Sequence, residues 1–163
     1  MPDQKFQEEQ RFRQWWLWLI LLCMNLIPIG GLLSKINNPL STRVTITGMV
    51  IFLCTTLGLS LFFFMIKLTT EVNAKHICIK FSPFGIRKEI AWTDIKKHEV
   101  VEYGFVGGWG IRLGTKYGTV YNIKGKHGLS LELDNGTKLL IGSQKSEELD
   151  YYLKSLSDAA SLH

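Results

Sequence analysis

Two long runs without a charged residue dominate the first half of the chain, and short alternations of apolar and polar residues dominate the second. From Gln14 to Ser34 there are 21 consecutive uncharged residues, and from Val44 to Ile66 there are 23 more. A hydrocarbon core ~30 Å thick is crossed by ~20 helical residues, each rising ~1.5 Å. Each run therefore predicts one transmembrane helix, the first over about 14–35 and the second over about 44–67. A chain of 163 residues has too few other elements to cover two such helices in water. The first run follows a basic stretch from Lys5 to Arg13, as a signal peptide would. Its apolar length exceeds the ~7–15 residues of a signal h-region, and Gly30-Gly31-Leu32-Leu33-Ser34 is a poor cleavage site, so a retained helix is expected.

The flanks agree with a bilayer. Trp15, Trp16 and Trp18 crowd the start of the first run, where an aromatic belt belongs. Arg11, Arg13, Lys35, Arg43 and Lys67 stand just outside the ends, within reach of headgroups. Asn25 is read as a hydrogen-bonding residue between helices in preference to a polar site in a conduit, and Pro28 frees a carbonyl and predicts a kink. Cys54 with Gly58, and Thr56 with Ser60, are small residues four apart that permit close helix approach. The connection contains Asn37-Asn38-Pro39, a turn signal, so the helices should form an antiparallel hairpin. Seven basic residues flank the hairpin on the side of the termini (Lys5, Arg11, Arg13, Lys67, Lys75, Lys80, Arg87), against two in the loop. By the positive-inside rule both termini are expected in the cytoplasm.

Beyond the hairpin the pattern has period two. Ile77, Ile79 and Phe81 alternate with polar residues, Ser82-Pro83-Phe84-Gly85 predicts a turn, and Ile86, Ile90 and Trp92 resume the alternation. Further strands are expected over 95–103, 109–113, 119–123 and 129–133, and a return strand over 138–141. Asn135-Gly136 predicts the tight hairpin before that return, because the dipeptide tolerates positive φ. Ser143 or Ser146 is placed to cap a final helix over about 144–157, with Glu147 and Glu148 in its first turn. Leu149, Tyr152, Leu153 and Leu156 fall on one face of that helix. The division expected is a cytoplasmic segment over 1–13, a two-helix transmembrane hairpin over 14–67, and a small domain over 68–163.

Seven strands and a C-terminal helix is the order of a pleckstrin-homology-like (PH-like) barrel. Five stretches strengthen the likeness: Gly108-Trp109-Gly110-Ile111-Arg112, Tyr121-Asn122-Ile123-Lys124-Gly125, Leu131-Glu132-Leu133-Asp134-Asn135-Gly136, Leu140-Ile141-Gly142-Ser143 and Glu147-Glu148-Leu149. On these the chain resembles bacterial membrane-anchored PH-like proteins, in which a hairpin of two membrane helices commonly precedes the barrel. The resemblance implies an α+β membrane protein of the inner membrane, with a seven-stranded barrel closed by its last helix. It implies no catalytic activity, and the basic phosphoinositide motif of eukaryotic PH domains is missing.

Charge adds one chemically suggestive feature. Between Glu102 and Glu132 lie 29 residues without a carboxylate, among them Arg112, Lys116, Lys124, Lys126 and His127, with eight glycines. Anionic lipid attracts a nearby basic cluster by ~1 kcal/mol per charge, and Phe105, Trp109 and Tyr117 would add interfacial contact. Arg112, Lys116, Lys124, Lys126, His127 and Trp109 are the candidate contacts for anionic lipid or a partner. The competing reading is a solvated face with glycine turns. Net charge is +5 overall and +3 after Ile66, which is modest, and no nucleic-acid reading motif appears. No nucleic-acid partner is expected.

Catalytic patterns fail on spacing. Gly108-Trp109-Gly110-Ile111-Arg112-Leu113-Gly114 places its third glycine one residue late for a dinucleotide loop, and GxSxG, HExxH and P-loop motifs are absent from the sequence. His76, His98 and His127 are scattered, and Cys23, Cys54 and Cys78 show no metal-ligand spacing. Asp94, Glu99 and Glu102 interleave with Lys96 and Lys97, as on a polar strand face. Neither cofactor nor metal is expected. The sequence thus predicts a non-catalytic scaffold that presents its domain to a protein partner or to itself, through an exposed strand edge. The alternative is a module that reads anionic lipid with residues 112–127.

Overall fold

The computed structural model describes residues 5–36, 43–104 and 110–161. The chain forms two compact units, Phe12–Met65 and the combination of Met1–Arg11 with Ile66–His163.

The first unit is a pair of helices, α1 (Trp15–Ile36) and α2 (Arg43–Met65). Both contain a stretch long and apolar enough to cross a membrane, Trp15–Ser34 and Thr45–Met65. Only 11% and 6% of these windows are buried, so neither is the sheltered core helix of a water-soluble domain. What the pair does bury is one seam containing Leu21, Pro28 and Thr56. Asn25 occupies that seam: its Nδ2 donates to Ser60 Oγ at 3.1 Å and its Oδ1 accepts from Thr56 Oγ1 at 3.0 Å. Asn25 Nδ2 also donates to Leu21 O at 2.7 Å. The sequence-read role of Asn25 and the small pair Thr56/Ser60 is therefore realised as one polar clasp. At the open end of the hairpin the Phe12 ring packs edge-on to Phe63 at 5.4 Å, and Trp18 Nε1 donates to Phe12 O at 2.9 Å.

The second unit has two sheets. The first has four antiparallel strands in the order β1-β2-β3-β4, namely β1 (Phe6–Arg11), β2 (Lys67–Val72), β3 (His76–Ser82) and β4 (Ile86–Ala91). A 3₁₀ turn, Trp92–Asp94, leads to β5 (Ile95–Glu102). The strands β6 (Gly110–Thr115), β7 (Gly118–Asn122), β8 (His127–Leu133) and β9 (Lys138–Ser143) follow. They join β5 in the order β5-β8-β9-β7-β6. The last helix, α3, is Ser146–Ser161.

Apolar alternation accounts for the interior. Val72, Ile77 and Ile90 share one cross-strand row and Leu68, Phe81 and Ile86 another. From the second sheet Leu129, Leu131, Leu139 and Ile141 are buried, and α3 contributes Leu149, Tyr152 and Leu153. Seven strands and the helix lie where the alternation placed them, within a few residues.

Three expectations require correction. Among the described residues the strands number nine, in two sheets, and no closed seven-stranded barrel is present. The two additional strands flank the hairpin, so residues 6–11 belong to the domain and are not a separate N-terminal segment, and Lys67 begins β2 instead of ending α2. β1 escapes an apolar-alternation reading because two of its three inward positions are Glu8 and Gln10. Finally, Asn135 does not adopt positive φ; only Gly136 does, at 79°. Gly136 N donates to Leu133 O and Leu133 N to Thr137 O, both at 2.9 Å, so a longer turn closes the hairpin.

Candidate functional site

The basic stretch is spread over β6, the β6–β7 turn and the β7–β8 connection. Arg112 lies mid-strand on β6, opposite Val120. Lys116 lies on the β6–β7 turn, whereas Lys124 and Lys126 lie on the β7–β8 connection with His127 opening β8. Lys116 and Lys124 thus flank opposite ends of β7, a five-residue strand ~17 Å long. All five are exposed. Trp109 and Phe105, named with them, fall outside the described residues.

Each end has its own chemistry. Near Lys116, register aligns Lys97, Glu132 and Lys138 in one row across β5, β8 and β9. These residues, with Glu99, Lys116 and Tyr117, border a shallow cleft of about 230 Å³. The Lys116 ammonium sits 4.8 Å from the Tyr117 ring centroid, and Lys97 Nζ is 3.3 Å from Glu99 Oε2. Two carboxylates among three lysines make this cleft mixed in sign and not an anion trap.

The other end of β7 is polar and buried. The Tyr103 hydroxyl accepts from Asn122 Nδ2 at 3.4 Å and donates to Gly125 O at 3.3 Å. Burial raises the Tyr103 pKa above the usual phenol value, which Asn122 partly offsets and the Glu8 charge reinforces. Tyr103 packs with Val120 and Leu140, and Val101 and Tyr117 extend this small apolar patch.

A third feature joins the N-terminal strand to the β9–α3 junction. Glu8 is only 5% exposed, yet it carries a carboxyl group. Ser143 Oγ donates to its Oε2 at 2.5 Å and Gln144 N to its Oε1 at 2.7 Å. Two positions along, Gln10 Nε2 donates to Gly142 O at 2.6 Å. Two positions back, the Phe6 ring lies 6.5 Å from that of Tyr152. Ser143, one of the two serines placed to cap α3, accepts from Lys145 N at 3.0 Å while donating to Glu8. The sequence signal for this site was weak: alternate polar residues at 6–11 look like a solvated segment.

An apolar groove of about 400 Å³ runs between α3 and the 3₁₀ turn, bordered by Trp92, His98, Leu153 and Leu156. Trp92 Nε1 donates to Asn73 O at 2.7 Å, and the Trp92 and His98 rings meet edge-on at 5.3 Å. No cluster of three or more metal-ligating side chains occurs among the described residues. β6 is an outer strand, and Leu113 on it is 77% exposed.

No protein-family profile matches this sequence, and comparison with characterised proteins finds none similar to it.

Proposed function

We propose that this chain is a non-catalytic interaction module, held by its two apolar helices at the cytoplasmic face of the inner membrane, where its domain binds a protein partner or a second copy of itself. The pairing of β1 with β2 carries this reading. The strands align from Phe6 opposite Val72 to Arg11 opposite Lys67. One precedes α1 and the other follows α2. A domain stitched from both flanks of a membrane hairpin has both flanks on one side of the bilayer and two covalent tethers instead of one. Such anchoring suits a module that presents a surface. The excess of flanking basic residues supports the cytoplasm as that side.

The surface best suited to a partner is the outer edge of β6, which pairs only with β7 among the described residues; an added strand would continue the sheet there, and Leu113 would supply an apolar contact. A PH-like ancestry is part of the proposal. The seven strands β3–β9 and the terminal α3 support it. The crossed order of the second sheet, with β7 parallel to β9, departs from a simple up-and-down barrel.

A photoreactive residue substituted for Leu113 in the full chain tests the proposal in native membranes. A discrete protein adduct is expected, either one partner or the chain itself, with a yield unaffected by depletion of anionic lipid. Adducts with lipid alone, at Leu113 and equally at Lys124, would replace the proposal by the lipid-reading alternative.

A further inference from the structure

The buried face of β1 has a chemistry unlike the strands beside it. Its inward residues are Phe6, Glu8 and Gln10, whereas the same rows on β3 carry Ile77, Ile79 and Phe81. Burying a carboxylate and an amide is costly unless every polar atom finds a partner. Here the accounting is incomplete. Gln10 Oε1 and, on the neighbouring β2, Thr70 Oγ1 are buried without a hydrogen-bond partner. Water would satisfy both once β1 left. Among the described residues β1 is also an outer strand, paired only to β2. On its solvent face the contacts to β2 are exposed, Glu9 with Lys67 and Gln7 with Glu71, and such contacts contribute little in water.

What remains specific is a set of three contacts at alternate positions. A ring meets Tyr152, an acceptor meets Ser143 Oγ–H and Gln144 N–H, and a donor meets Gly142 O. We propose that β1 is a removable strand, and that the slot it leaves between β2 and the β9–α3 junction accepts an extended protein segment bearing an aromatic, a carboxylate and an amide side chain at alternate positions. Departure of β1 turns β2 into the outer strand, and its free backbone groups provide the ladder for the incoming segment. Ser143 and Gln144 both donate, so they select an acceptor; Gly142 O selects a donor two residues later. The inference rests on the interaction-module reading and names a partner chemistry for it, at a surface distinct from β6.

Hydrogen exchange on the full chain in lipid nanodiscs tests the first half. Amides of β1 should exchange about tenfold or more faster than those of β8 and β9, as a locally opening segment does. Glu8→Gln should accelerate β1 further while leaving β8 and β9 unchanged. Exchange of β1 at the β8–β9 rate in the wild-type chain would show a permanent core strand and overturn the proposal. The second half is read with a fluorescent peptide of the chain's own residues 4–12, titrated onto the full chain carrying Glu8→Gln. Binding is expected, weakened about tenfold or more when the peptide carries Glu8→Ala or Gln10→Leu. No binding, or equal binding of all three peptides, overturns the slot. Crosslinking at Leu113 does not involve β1, so its outcome separates failure of the slot from failure of the module reading.

Discussion

Asn25 on α1 and Thr56 on α2 meet side chain to side chain, with the threonine hydroxyl donating to the amide oxygen at 3.0 Å. Ser60, one turn further along α2, accepts from the other end of the same amide. In hydrocarbon, apolar surface gives no preference for helix over lipid, so close packing and such polar contacts hold helices together. Asn25→Leu should weaken the hairpin by about 1 kcal/mol, since single interhelical hydrogen bonds in membranes average ~0.6 kcal/mol and two are lost. Thr56→Val should cost about half as much. Reversible unfolding in mixed detergent checks both, and an unchanged midpoint for Asn25→Leu would remove the clasp as a source of stability.

Gly118 has φ of 73°, and a Cβ placed on it would stand 2.1 Å from the carbonyl oxygen of Lys138. That contact is made where β7 lies parallel to β9, with Thr119 opposite Leu139. Gly114 has nearly the same φ, 70°, but open space around it. The pair separates two costs. Gly114→Ala should lose only the ~1–2 kcal/mol of a left-handed non-glycine residue. Gly118→Ala must also move the backbone of β9, and should lose more than about 3 kcal/mol. Thermal unfolding of the two variants tests the ranking, which equal losses would refute.

The same contrast explains what could be read in advance. Leu129, Leu131 and Leu133 announce β8 because apolar side chains alternate there, and all three are buried. The charge-free runs announce α1 and α2 by length alone. β1 stayed hidden because Glu8 and Gln10 are polar by type and buried by position, a match that exists only once Ser143, Gln144 and Gly142 arrive from far along the chain. The parallel pairing of β7 with β9 is likewise non-local, and its only local trace is a glycine at 118. For the candidate contacts, the sequence holds Arg112, Lys116, Lys124, Lys126 and His127 within one short interval, and the fold distributes them over β6, the β6–β7 turn and the β7–β8 connection. Adjacency in a chain folded into short strands is poor evidence for adjacency in space, since each strand carries its two ends ~17–20 Å apart.

Glu9 accepts from Lys67 Nζ and from Arg11 Nε, each at 2.6 Å, on the solvent face of β1 and β2. Hydrogen bonds from Lys67 and then Arg11 hold its carboxyl below the ordinary value of 4.5. A depressed carboxylate pKa stabilises the folded state above the unfolded value, and that contribution disappears as pH falls through the folded value. Glu9→Gln should therefore be less stable than wild type near neutrality and equally stable once the pH lies well below 4.5. Exposure keeps the difference small, and added salt should shrink it further. Melting curves at neutral and acid pH, each at low and high salt, test this; a gap that widens on acidification would contradict the assigned sign.

Orientation yields the last prediction. Nine basic residues near the spans divide seven to two, with only Lys35 and Arg43 on the loop side. Topology follows Lys and Arg in short flanking segments and responds little to Asp and Glu. In a chain whose three cysteines, Cys23, Cys54 and Cys78, are replaced by alanine, a cysteine introduced by Ser41→Cys should react with an impermeant maleimide on intact cells. One introduced by Ser157→Cys, on an exposed position of α3, should react only after permeabilisation. Adding four lysines between residues 37 and 41 should erode this preference, because it nearly equalises the two sides. Labelling of the Ser157→Cys chain from outside would invert the assignment and place the domain, with its β1 slot and its β6 edge, before partners on the other side of the membrane.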